Sequence, residues 1–291
     1  MSENLEVTEE SPKRTLNQIS GLITDYRDTG NGFHISARHY PSGEMEVSAI
    51  KLGAEDSLKK GGGAKRKNNK KSEMDEKTLD KSIHRTRTNV RRKTLALDSD
   101  RLLTTTFKDN LQDVDKAWSI YKYFIKLMRW RFKEFPYVVV MEYQKRGAIH
   151  FHLAIKGYYH ANTVRRFWRR AAGQYGGNID ITDPRKAANK NSWNPKRIAH
   201  YIAKYITKED SAAFNRRRYA TGGRIQVPEP LTGWLALGVS VERIMRLIIE
   251  SISGKQPNQY HECDSYFYIY YLSTMGNDEH DINYLNRVDR A

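Results

Sequence analysis

Cysteine is nearly missing. Cys263 stands alone in 291 residues, which excludes an internal disulfide and fits a reducing compartment. His261 lies two residues away, but one His and one Cys make no zinc site, so that pair reads as structural. Long apolar runs are also missing. No segment reaches the roughly 18 residues that would read as a membrane span, and the most apolar region, 234–252, is broken by Glu242, Arg243 and Arg246. The N-terminus carries Glu3, Glu6, Glu9 and Glu10 ahead of any apolar run, so no signal peptide is expected. No G-x-x-x-x-G-K-[ST] occurs, so no phosphate-cradling motor loop is evident. Acid is scarce against base: 34 Asp plus Glu face 50 Lys plus Arg, a net charge of +16. That balance favours a polyanionic partner, nucleic acid first, although an anionic membrane surface would suit the charge equally. Eighteen Tyr and five Trp could stack on unpaired bases, while most of them are expected in the core.

What is present centres on Gly147-Ala148-Ile149-His150-Phe151-His152-Leu153-Ala154-Ile155. The stretch alternates, so Ile149, Phe151, Leu153 and Ile155 share one face of a strand, and His150, His152 and Ala154 share the other. Tyr137 to Tyr143 reads as a preceding strand, rich in aromatic and β-branched residues. Lys145-Arg146-Gly147 fits a three-residue hairpin loop with the glycine left-handed. That register sets Glu142 opposite His150 and Val140 opposite His152, so a carboxylate and two imidazoles fall within cross-strand reach. Nine histidines make roughly 0.3 chance His-x-His pairs, so the pair alone is weak and could be two polar residues on a solvated sheet face. Glu142 shifts the balance towards a metal, because this ligand set leaves coordination positions open.

Along the chain, residues 1 to about 20 read as disordered, and Gly32 to Leu52 as a hairpin turning at Pro41-Ser42-Gly43-Glu44. Lys59 to Lys71 is a basic, glycine-rich linker, either a solvated tether or a contact for nucleic-acid backbone. His84 to Lys93 is basic again. Arg101 to Phe107 reads as a strand whose Thr104, Thr105 and Thr106 hydroxyls are expected to be free for phosphate oxygens. Asp113 caps a helix running to about Glu134, with Val114, Ala117, Trp118, Tyr121, Ile125, Met128 and Phe132 as its apolar stripe. A second helix, Val164 to Ala172, carries Arg165, Arg166, Arg169 and Arg170 outside, where they are expected to meet DNA. Asn178 to Thr182 reads as a short strand. Asn194 and Pro195 open a third helix through Lys208, with Ile198, Ile202, Ile206, Ala199 and Ala203 buried. Tyr201, Lys204, Tyr205 and Lys208 share another of its stripes. A helix around Val241 to Ser251 and a strand from Tyr266 to Leu272 complete the pattern.

Two phenols flanked by lysines usually mark amphipathic packing. Beside a metal hairpin they suggest sharper chemistry: a tyrosinate can attack a phosphodiester, become a 5′-phosphotyrosine and release a 3′-hydroxyl. Because one phosphoester replaces another, the step is reversible.

At this point the sequence resembles the HUH endonuclease superfamily, the rolling-circle replication initiators (Rep proteins) of the phage gene A, gene II and plasmid types. Leu102 to Phe107 looks like their first motif, usually closer to F-L-T-L-T-F, with Thr105 in place of the common leucine. His150-Phe151-His152 matches the His-hydrophobe-His motif, and Glu142 sits where related initiators place a third ligand. Tyr201 to Lys208 resembles the two-tyrosine motif, and the region of Arg218-Tyr219 resembles the tail of gene II-type and plasmid proteins. The resemblance spans roughly residues 84 to 230. It implies an α+β fold with a central antiparallel five-stranded sheet flanked by helices, and a Mg²⁺ or Mn²⁺ cofactor held by Glu142, His150 and His152. Tyr201 and Tyr205 would be nucleophiles assisted by Lys204 and Lys208.

The implied substrate is single-stranded or extruded origin DNA, with a host helicase and replication machinery as partners in a bacterial cytoplasm and no membrane. The expected organisation is a flexible basic region over 1–83 containing the 32–52 hairpin, a catalytic domain over 84–230 and an extension over 231–291. The expected function is a site-specific single-strand endonuclease and ligase that starts and ends rolling-circle replication. An HUH-type transposase or plasmid relaxase would use the same site, and a non-catalytic basic nucleic-acid-binding protein is the third possibility.

Overall fold

The computed structural model describes residues 32–52, 76–144, 146–182, 195–206, 219–236, 240–254, 259–265 and 267–273. The expected disordered N-terminus, the basic linker, Asn194, Lys208 and Arg218 lie outside them. Two compact units divide the chain, one drawn from Met1–His39, Gly43–Lys65 and Glu229–Ala291, the other from Tyr40–Ser42 and Arg66–Pro228.

The first unit is a five-stranded antiparallel sheet. Strands β1 (Gly32–His39) and β2 (Met45–Leu52) form the expected hairpin, with Gly43 at φ 79° in its turn. Strand β8 (Leu231–Ala236) pairs with β1, β10 (Phe267–Ser273) with β2, and β9 (Gln259–Ser265) with β10. The early hairpin and the C-terminal segment, which are far apart in sequence, therefore build one sheet. Alternation on β1 and β2 puts Phe33, Ile35, Ala37, Val47 and Ala49 on one face. Val241, Ile244, Met245, Ile248 and Ile249 of helix α5 (Val241–Ser253) pack on it. Ser240 caps that helix by accepting from the Arg243 N–H, and Gly254 ends it in the left-handed region.

The second unit is an α+β layer structure around the antiparallel sheet β6-β3-β5-β4-β7. Its strands are β3 (Arg101–Phe107), β4 (Tyr137–Tyr143), β5 (Ile149–Ile155), β6 (Gly176–Thr182) and β7 (Tyr219–Gly222). Helices α2 (Val114–Arg131) and α3 (Ala161–Ala172) cover one face, and α1 (Glu76–Ala96) and α4 (Pro195–Ala203) the other. The Asp113 cap is present, accepting from the N–H groups of Asp115 and Lys116 at 3.0 Å. Helix α2 stops at Arg131, one turn short of the expected Glu134, where Phe132 turns extended ahead of Pro136. The α2–α3 side holds the larger core, in which Phe107, Trp118, Tyr121, Phe124, Phe151 and Trp168 meet mostly edge to face.

In the sequence, α1 shows only as a basic stretch. Its buried apolar residues include Ile83 and Val90, at two-turn spacing, and Leu95 in the last turn, and Thr86 and Thr94 turn their hydroxyls back onto Ser82 O and Val90 O. So sparse a stripe gives little periodic signal.

Candidate active site

The site grows from the β4–β5 hairpin. Gln144 N–H donates to Ala148 O at 2.8 Å and Gly147 N–H donates to Gln144 O at 2.7 Å. Gly147 takes φ 85°, which lets the short loop close with matched strand twist; Lys145 lies outside the described residues. Glu142 pairs with His150 and Val140 with His152, the register that the loop length predicts. β5 is the central strand and both of its faces are covered. His150 and His152 are consequently 7 % and 5 % exposed, so the solvated-face reading of the His-x-His pair does not hold.

His152 Nε2 lies 2.6 Å from Glu142 Oε2. An ionised carboxylate only accepts, so Nε2 carries the proton in that bond. The other nitrogen, Nδ1, lies 3.1 Å from Thr104 Oγ1, a hydroxyl able to donate or accept. His150 contrasts with its neighbour, since its Nε2 is buried with no hydrogen-bond partner. Burial, and secondly the adjacent His152, push the His150 imidazole down to about 4, against an opposing pull from Glu142. His150 is therefore neutral near pH 7.

Among the described residues, no three His, Cys, Asp or Glu side chains are grouped closely enough to hold a metal ion. The donor types nonetheless fit a divalent cation. An idle buried imidazole nitrogen is costly unless something occupies it, and a carboxylate and a second imidazole adjoin it. The Glu142–His152 hydrogen bond has to open before His152 Nε2 can take part.

Pro195 opens α4 as expected, and Ile198, Ala199, Ile202 and Ala203 press against Leu102, Val138, Val140 and Ala154. The helix ends at Ala203 rather than running to Lys208. Its exit tightens, with Lys204 N–H donating to His200 O (3.1 Å), Tyr205 N–H to Ile202 O (3.4 Å) and Ile206 N–H to Ala203 O (3.1 Å). Arg87 of α1 donates from Nε to Ile206 O at 2.7 Å and fixes that exit. Both tyrosines meet the hairpin. The Tyr205 ring stacks on His152, with centroids 4.4 Å apart and planes 3° apart. Tyr201 stands perpendicular to His152 at 6.0 Å and to Tyr205 at 5.2 Å. Lys204 Nζ lies 4.1 Å from the Tyr201 ring centroid and 4.9 Å from that of Tyr205.

Glu142, His150, His152, Tyr201, Tyr205 and Lys204 are thus on one face of the sheet. The threonines need correction, because none of the three hydroxyls is free for phosphate. Thr104 engages His152, and Thr106 donates to Asn178 O while accepting from Asn178 N–H. Thr105, on the opposite face against the aromatic core, is fully buried, and its hydroxyl has no partner. The helix of Arg165, Arg166, Arg169 and Arg170 packs on the α2 side, the layer opposite the tyrosines; Arg165, Arg166 and Arg169 line a shallow depression with Asn162, and Arg170 is exposed outside it. Sequence reasoning missed Arg87, which acts across 119 positions of chain, and the part Thr104 plays towards His152. The strand register would have exposed the latter, since Thr104 pairs with His152.

No helix among the described residues is long and apolar enough to cross a membrane. No curated protein and no solved structure matches the chain. Residues 100–210, which contain the histidine hairpin and the tyrosine pair, match the model of the replication-associated protein family of the ORF2 and gene 2 protein type, and over that segment the chain is similar to that family.

Proposed function

We propose that the chain is a site-specific single-strand DNA endonuclease and joining enzyme that initiates and terminates rolling-circle replication. One observation carries this reading: Tyr205 is stacked on His152 with Tyr201 perpendicular to both, so two candidate nucleophiles abut the His–Glu cluster. The match to replication-associated proteins over residues 100–210 supports it, as does the +16 net charge. In the step proposed, a tyrosine oxygen bonds to phosphorus and the bond to the 3′-oxygen breaks. The 5′-phosphate stays on the protein, the phenol gives up a proton and the departing 3′-oxygen gains one. Glu142, His150 and His152 would hold Mg²⁺ or Mn²⁺, which when bound supplies Lewis-acid polarisation of the phosphoryl oxygens. Lys204 places its charge over both rings, where it offsets the negative charge of an attacking phenolate. Reversal of the same step rejoins the strand.

The test is formation of a denaturation-resistant protein–DNA adduct on pooled single-stranded oligonucleotides with Mn²⁺. Tyr201→Phe and Tyr205→Phe should each keep some adduct, and the double variant should form none. Loss of all adduct in one single variant, with the other as wild type, would overturn alternation between the two tyrosines. Absence of adduct from the wild-type chain on every oligonucleotide, with binding retained, would favour the non-catalytic reading. His150→Ala and His152→Ala should abolish cleavage and weaken Mn²⁺ binding, read by electron paramagnetic resonance, while DNA affinity in chelator stays close to wild type. Undiminished Mn²⁺ binding in both would remove these residues from the cation site.

A further inference from the structure

On the sheet face opposite the tyrosines, a cavity of about 320 Å³ lies between α2 and the β4–β7 edge. Lys122, Lys126 and Arg129 line it at i, i+4 and i+7 of α2, one stripe of the helix, and no acidic residue does. Its remaining walls are largely aromatic, from Trp118, Tyr121 and Tyr137. Arg129 is held in place: its guanidinium lies 5.9 Å from the Tyr137 ring centroid, and β7 closes over the pair at Gly222. A Cβ on Gly222 would overlap the Tyr137 ring and come within 2.5 Å of Arg129 Nη2. On the outer surface of the same helix Trp130 is 77 % exposed and Tyr123 41 % exposed.

We infer that this groove and the adjoining face of α2 form a second track for single-stranded nucleic acid, separate from the cleavage site. Three cations without a carboxylate suit a chain of phosphates. An exposed tryptophan beside a basic stripe offers a ring face on which an unpaired base can stack, and base faces are available only in single strands. β7 joins the two sides of the sheet. Tyr219 packs against the core on the tyrosine side and Ala220 against the aromatic core, so a strand crossing the β7 edge could run from one side to the other. The inference goes beyond the nicking reading, and its measurement needs neither tyrosine nor cation.

The test is fluorescence anisotropy of the full chain in chelator with a labelled oligothymidylate of about thirty nucleotides, titrated against salt. Lys122→Glu/Lys126→Glu should weaken binding about tenfold and reduce the salt slope by about 1.4, at roughly 0.7 for each phosphate no longer neutralised. Trp130→Ala should weaken binding several-fold and leave the slope unchanged. Lys122→Gln/Lys126→Gln serves where charge reversal impairs folding, judged by circular dichroism. Unchanged affinity and slope in folded variants would overturn the track. So would an equal loss on duplex of the same length, which would mean general surface charge. A loss confined to phosphatidylserine vesicles would assign the face to a membrane and also refute it.

Discussion

Thr105 carries a consequence of its burial. Its Oγ1 is enclosed without a partner, at a strand position paired with Phe151 and facing the aromatic core. The initiators that the sequence resembles usually place leucine there, in keeping with an apolar surrounding. Thr105→Val keeps the shape and removes the unsatisfied hydroxyl, so it should stabilise the chain by about 1 kcal/mol, read as a higher urea midpoint at unchanged slope. A lower midpoint would show that the hydroxyl has a partner in solution. Thr104, one residue away, points to the other face and gives His152 a partner that serves either ring tautomer. The same residue type thus does opposite things at adjacent positions, because strand side chains alternate.

The hairpin depends on Gly147. Its φ of 85° is left-handed, and an added Cβ would come within 2.7 Å of Gln112 Nε2. Gly147→Ala should cost about 1–2 kcal/mol, the usual penalty for a left-handed L-residue, and should impair cleavage by loosening the Glu142–His150 register. Gly157 is the comparison, with φ 91° but nothing within 4 Å of the added Cβ. Gly157→Ala should therefore show the backbone penalty without loss of cleavage. If both variants cleave as wild type, the hairpin does not set the geometry of the site. Helix α4 is positioned by its apolar side and by Arg87 at its exit, which brings Tyr205 onto His152 although the last turn is no longer α-helical.

Stability should respond to acid through His200. It is packed between α4 and α1, and burial first, then the charges of Arg91 and Lys196, push its imidazole from 6.5 down to about 3. The folded chain keeps it neutral, so between those values the unfolded chain binds more protons. The stabilisation is therefore complete above about 6.5 and is lost progressively as pH falls towards 3. Lowering the pH from 7 to 5 should cost about 1–2 kcal/mol from this residue, measured as a fall in the urea midpoint, and His200→Gln should reduce that fall. A fall equally steep in the variant would place the effect elsewhere. The two units are each built on a five-stranded antiparallel sheet, with one α-helix on the first and four on the second among the described residues, and the first draws its strands from two distant parts of the chain.

The sequence by itself determined the hairpin register, the buried sides of α2, α3 and α4, and the pairing of His150 with Glu142. Each of these rests on local periodicity or loop length, which act within a few residues. Tertiary structure alone decided the rest. It joined β1 and β2 to β8 and β10, which no local pattern encodes because strand partners are chosen by shared burial across the chain. It buried both faces of β5, gave Thr104 to His152 and sealed Thr105, since a threonine reads the same in water or in a core until a neighbouring layer covers it. It also set the exit of α4, where Arg87, supplied by a distant helix, takes the carbonyl of Ile206.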